Sequence, residues 1–321
     1  MIFQKVLSDF SRLRRDRKLG GAPHKPILLL AILELIRKGE ITNNRIAITP
    51  ELVLEFKSIW SKLVVTRHTP TFSLPFFHMK SEPFWKLVPR AGMEIPVTSS
   101  NSIKSFTALK QTVAFAEIDP QVFIQMQNPV HLLVLEEALL DQYFPETKSM
   151  FSSPKHDLFS ELEMQILQDD PVTYRKRISE LQKNLPKERY EEEIFVRGGV
   201  FKREIPKIYA FHCAISEMRI EAATQVQMID ACHIKPFALS KDDTITNGIS
   251  LSPTLHRAYD RGLITITDDY LVKISPTVIE NDSPYSLGQF DGKQILLPGN
   301  PHFYPAVENL RWHQQNCFIA S

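Results

Sequence analysis

Cysteine is scarce in this chain: Cys213, Cys232 and Cys317 are the three among 321 residues, and no two lie close together. That excludes a disulfide framework and a Cys-x-x-Cys zinc knuckle, and it fits a reducing cytoplasm. Long apolar runs are lacking too. The greasiest, PILLLAILELI, is interrupted by Glu34 and falls far short of the ~20 residues that span a bilayer. The start, MIFQKVLSDFSRLRRDRK, has no apolar signal core. Strong net charge is absent as well, at +1. The expectation is a soluble cytoplasmic protein without membrane attachment.

What the chain does have is an uneven distribution of charge. Residues 1–110 hold 18 Lys or Arg against 8 Asp or Glu, a net of +10, and residues 111–170 hold 2 against 11, a net of −9. A basic amino-terminal part points to an anionic partner. The length suggests about two domains. VLSDFSRLRRDRK reads as a basic amphipathic helix, KPILLLAILELIRKG as a buried helix stopped by Gly39, and TPELVLEFKSIWSKLV as a further helix. RHTPTFSLPFFHMKSEPFWKLVPR, rich in Pro and aromatics, reads as loop and short strands. DPQVFIQMQNPVHLLVLEEALLDQYFP is helical again. The character changes near residue 150, and the charged helical stretch after it reads as a linker or dimer arm. Beyond about residue 196, turns alternate with β-rich runs.

The chemistry concentrates in IDACHIKPF and TNGISLSPTLHRAYDRGLITI. These read as a strand bearing His233, a loop with an Asn-Gly turn at Asn247, a second strand, and a helix bearing His256: a ββα unit. On that helix His256 and Asp260 are four residues apart and lie one above the other, a suitable spacing for two ligands of one ion. Metal-assisted phosphodiester hydrolysis needs such an ion and a neutral imidazole to deprotonate water. Histidine suits the second task because its ordinary pKa lies near working pH. Asp260 can equally serve the Arg-Gly turn that follows it.

This stretch resembles an HNH endonuclease domain, the ββα-metal finger. The resemblance implies that His233 is the general base, that Asn247 positions it, and that His256 binds the metal, Mg²⁺ or Mn²⁺. Relatives often carry an acid or His directly before the first His, whereas here Cys232 stands there. Asp230 is the nearest acid and, with Asp260, a candidate further ligand. Cys232 itself reads as a small buried residue.

GAPHKPILLL places His24 and Lys25 just before a helix amino terminus, where free N–H groups favour a phosphate. Arg12, Arg14, Arg15, Arg17 and Lys18 can track a DNA backbone. The apolar FSLPFFHM is odd for a phosphate binder, although it also reads as a core strand. PHKPILLLA together with LPFF and FWKLVP resembles the sulfur-binding domain of phosphorothioate-dependent, McrA-type restriction endonucleases. In that family a hydrophobic pocket accepts the sulfur that replaces a phosphate oxygen. The resemblance implies a basic pair at His24 and Lys25, a pocket wall at Leu74 and Pro75, and His78 at the edge. Leu74 and His78 depart from the aromatic and small residues common there.

The reading is therefore α+β: a helix-rich DNA-reading domain at 1–150, a helical linker at 151–195, and a ββα-metal nuclease at 196–321. The implied function is modification-dependent restriction of phosphorothioated double-stranded DNA by a homodimer. An HNH nuclease reading another modification or an unmodified sequence is the alternative. A DNA-binding module with an inactive nuclease is a third reading, opposed by the intact His233, Asn247 and His256.

Overall fold

A computed structural model describes residues 2–17, 20–95, 103, 105–152, 158–220 and 228–320. The fold is α+β, and its contacts separate two units: residues 1–159 with 184–196, and residues 160–183 with 197–321. The first unit contains α1 (Ile2–Ser11), α2 (His24–Arg37), β1 (Arg45–Ile46), α3 (Pro50–Leu63), α4 (Ser73–His78), β2 (Trp85–Pro89), α5 (Phe106–Thr112), β3 (Val113–Ile118), α6 (Pro120–Gln127) and α7 (Pro129–Tyr143). Its core is α2, in which every residue from Ile27 to Leu33 is fully buried. A helix apolar on all faces requires cover on all faces, and α3, α4, α6 and α7 supply it. The three strands form an antiparallel sheet in the order β1-β3-β2.

Local sequence explains most boundaries. Thr49, Ser105, Asp119 and Asn128 each cap a helix by accepting backbone N–H bonds. The stretch 119–145 is two helices, because Asn128 caps α7 and Pro129 opens it. The basic helix ends earlier than its pattern predicts, at Ser11. Beyond it the Leu13 N–H donates to the Tyr143 hydroxyl and the Arg14 N–H to Glu82, so tertiary bonds take donors that a helix would use. Lys18 lies outside the described residues.

FSLPFFHM is a helix, α4, where loop or strand was expected. Pro75 sits in its first turn, where no intrahelical N–H is needed. Phe72, Phe76 and Phe77 are fully buried at helical spacing. The Phe72 N–H donates to Glu192, whose carboxyl is pushed up to about 7, first by burial.

The second unit begins with helices expected as linker. Residues 151–195 are divided: 160–183 join the second unit and 184–196 the first. They form α8 (Leu158–Gln168), α9 (Pro171–Asn184) and the start of α10 (Lys187–Ile208). Tyr174 and Ile178 of α9 are buried. There follow β4 (Asp230–His233), α11 (Phe237–Ser240), β5 (Gly248–Leu251), α12 (Pro253–Asp260), β6 (Ile264–Ile266), β7 (Val272–Ile274) and α13 (Val307–Asn316). β4 pairs with β5 and β6 with β7, both antiparallel. α13 closes the end of α12: His313 stacks on Tyr259 at 3.7 Å and bonds its carbonyl and Thr265.

Asn247-Gly248 does not form the expected Asn-Gly turn. Asn247 ends a 3-10 turn, and Gly248 has φ −122° at the start of β5. The glycine that needs its freedom is Gly262, which follows α12 with φ +68°. Its N–H bonds the Tyr259 carbonyl, its carbonyl accepts from Ile319, and an added Cβ would lie 1.9 Å from the Cys317 oxygen. Gly262→Ala should therefore destabilise the chain by about 2 kcal/mol or more, since a left-handed side chain alone costs roughly 1–2 kcal/mol. Urea unfolding of the two proteins measures this, and an unchanged midpoint would contradict the packing described.

Candidate functional site

In the second unit, β4 and β5 are registered so that Cys232 faces Ile249 and His233 faces Gly248. Neighbouring strand residues point to opposite faces. β4 thus offers Cys232 to α12 and His233 to α10. The Phe201 ring stacks on the His233 imidazole, with centroids 4.0 Å apart and planes 7° from parallel. Gly248 makes this approach feasible, because a Cβ there would come within 2.0 Å of Ile205 and 2.9 Å of Phe201. The glycine of the Asn-Gly pair is needed for close approach, not for a turn.

His233 Nε2 lies 2.8 Å from Asp243 Oδ1, and the Asp243 side chain is only 2% exposed. Asn247 does not touch the imidazole in the bonds it makes. Fully buried, it accepts from the Lys235 N–H through Oδ1 and donates through Nδ2 to the carbonyls of Lys235 and Asp242, all at 2.9 Å. It pins the loop that leaves β4 and brings Asp243 round to His233. The bonds of Asn247 thus go to the loop backbone, and the side chain hydrogen-bonded to the imidazole is that of Asp243. No spacing rule in KDDTITNG singles it out.

Among the described residues, one ligand atom each from Cys232, His256 and Asp260 lies within 4.8 Å of the others. His256 Nε2 stands 3.5 Å from Asp260 Oδ2, and Cys232 Sγ stands 3.8 Å from Asp260 Oδ1. The i, i+4 pair on α12 meets as its spacing predicts, and Asp260 faces this cluster. Asp230 instead lies on the other ring nitrogen of His256, Nδ1, at 3.2 Å. That is the place of a group that orients a ligand, rather than of a ligand in the same cluster. Cys232, read as a packing residue, belongs to the cluster. The signal was its place directly before His233. Burial, and then Asp260, push its thiol well up, so without a cation it is a neutral donor. A thiol, an imidazole and an exposed carboxylate can together hold a divalent cation, the sulfur and nitrogen donors favouring a transition-metal ion.

In the first unit, His24, Lys25, Leu74, Pro75 and His78 line one cavity of about 570 Å³ together with Arg14, Arg15, His68, Lys80 and Ser81. α4 presents Leu74 and Pro75 from its first turn, and α2 presents His24 and Lys25 from its own. Arg17 is exposed and does not line the cavity. The expected cationic pair is less cationic than its residue types suggest. Lys25 forms a buried ion pair with Glu82 and donates to Ser81 at 2.7 Å. His24 bonds the Thr69 carbonyl at 2.9 Å against Trp60, and burial drops its pKa to about 4, leaving it neutral at working pH. His78 is likewise lowered, by burial and then by Lys25 and Lys80.

Comparison with known proteins bears on the second unit. Residues 213–267, which contain β4, β5, α12 and β6, match the family described as HNH endonuclease. Among solved structures, the chain is similar to one titled "Modification dependent TagI restriction endonuclease". That match is 18% identical, covers 36% of each chain, and has a TM-score of 0.27. The chain thus spans about a third of that relative. No curated protein matches. With the ββα geometry and the family match falling on the same residues, the stretch 213–267 is an HNH endonuclease domain.

Proposed function

We propose that the chain is a modification-dependent restriction endonuclease that recognises phosphorothioated DNA with its first unit and hydrolyses a phosphodiester bond with its HNH domain. The observation that carries the reading of the first unit is the cavity in which Leu74 and Pro75 stand beside Arg14, Arg15, Lys25 and His78. Sulfur is larger and more weakly hydrated than oxygen. An apolar wall costs little against it but disfavours a solvated oxygen. The neutral His24 and the Lys25–Glu82 pair suit this reading, because neither sets an unpaired cation against the wall.

In the HNH domain His233 accepts a proton from a water molecule. The water oxygen bonds phosphorus, and the bond from phosphorus to the sugar oxygen breaks with its electron pair going to that oxygen. Cys232, His256 and Asp260 would hold the divalent cation; their thiol and imidazole depart from the oxygen donors that Mg²⁺ takes and suit Mn²⁺ or a softer divalent ion better. Bound there, such an ion supplies charge stabilisation at the phosphate and the leaving oxygen. Asp230 keeps His256 turned so that Nε2 faces the cluster. One such site cuts one strand, so we infer a homodimer for double-strand cleavage, two-fold pairs being the commonest oligomers.

His233→Ala should abolish cleavage of modified plasmid while DNA binding stays near wild type, and EDTA should stop the wild-type reaction. Cleavage by the variant at near wild-type rate would remove His233 as the base. For the cavity, Pro75→Ser should weaken binding to a phosphorothioated duplex by about 1–3 kcal/mol, the scale of a poorly matched polar atom in a desolvated site. Binding to the same duplex without sulfur should not change. Arg14→Ala and Arg15→Ala should instead weaken both and flatten the salt dependence. Lys25 is a poor choice for this test, since breaking a buried pair costs about 3–5 kcal/mol of stability. Wild-type protein binding both duplexes equally would leave the reading of another modification or an ordinary sequence. Light scattering should give a dimer on DNA, and a monomer both free and bound would refute the pairing.

A further inference from the structure

Asp243 is a buried carboxylate ten residues from His233, and the fold brings the two into contact. An ionised carboxylate only accepts hydrogen bonds, so the 2.8 Å contact requires the proton on His233 Nε2. The neutral imidazole then carries its lone pair on Nδ1. Four further contacts hold this arrangement. Phe201 lies flat against the ring, fixing its plane. The Tyr174 hydroxyl of α9 faces the second Asp243 oxygen at 3.4 Å, and Arg197 lies over the Tyr174 ring at 5.7 Å. Asn247 holds the Asp242 carbonyl next door. Burial and then the Asp243 charge push the Tyr174 hydroxyl far up, so it is a permanent neutral donor toward that carboxylate.

We propose that Asp243, backed by Tyr174, is a positioning residue that fixes His233 in the Nε2–H tautomer, so that Nδ1 is the atom that takes the proton from water. Resting on His233 as the base, this adds which nitrogen acts and what selects it. When Nδ1 accepts the proton the ring becomes an imidazolium, and the Asp243 charge already lies against its other N–H. The carboxylate therefore selects the tautomer and fixes which nitrogen faces the water. A side chain with a purely structural role would not.

The test has two arms. In protein labelled with ¹⁵N-histidine and held in Mg²⁺ buffer, long-range ¹H–¹⁵N spectra report which ring nitrogen carries the proton, the His233 signals being those lost in His233→Ala. The expected result is Nε2–H in the wild type, and Nδ1–H there would overturn the proposal without using any Asp243 variant. In the second arm, Asp243→Asn, whose amide can donate to Nε2, should lower kcat on the order of 100-fold, within the range that a positioned base contributes. KM and DNA affinity should stay within about twofold of wild type by the same argument, and Tyr174→Phe should give a smaller loss in kcat alone. Full kcat in Asp243→Asn beside a dead His233→Ala would sink the positioning role and leave the base assignment standing. Full activity in His233→Ala would instead sink the base assignment itself.

Discussion

The HNH domain depends on one fully buried amide. Asn247 joins the start of the loop after β4 to its far end, through Lys235 on one side and Asp242 on the other. Its backbone carbonyl also accepts from Ile234 at 2.9 Å. Asn247 and Asp242 are buried, and an unmatched polar group there costs about 1–3 kcal/mol. The loop therefore has little freedom to close in another way. Its closure sets Asp243 beside His233 and aligns β5 so that Gly248 faces His233.

From that constraint the chemistry divides between two faces of β4. His233 looks toward aromatic and apolar side chains of α10, and Cys232 toward α12 with its imidazole and carboxylate. A two-residue span thus faces both the His233 pocket and the Cys232–His256–Asp260 cluster. Each imidazole has an acid in contact: Asp243 at His233 Nε2 and Asp230 at His256 Nδ1. Imidazole has two nitrogens, and a carboxylate on one leaves the other for the task at hand.

In the first unit the charge that the sequence displays is partly spent inside. Lys25 is matched by Glu82, which also takes the Arg14 N–H, so this buried acid organises one wall of the cavity. His24 is held neutral by burial. A ligand entering this cavity meets an apolar α4 face flanked by arginines rather than a uniform cluster of cations.

The ββα order, the core helix α2 and the pairing of His256 with Asp260 were legible in the sequence. Each rests on neighbours a few residues apart, where spacing and residue type settle the geometry. FSLPFFHM was not, because a Pro-containing aromatic run satisfies a helix turn, a strand and a loop equally until Phe72, Phe76 and Phe77 find their cover. The tertiary structure alone decided that Asp243 rather than Asn247 contacts His233 and that Cys232 joins the ion cluster while Asp230 supports it. It also decided that Gly248 serves an approaching helix, and that Tyr174, in a stretch resembling a charged linker, stands behind Asp243. These contacts join residues 10 to 70 positions apart, and such pairs are set by packing and by the need to satisfy buried polar atoms, neither of which local patterns encode.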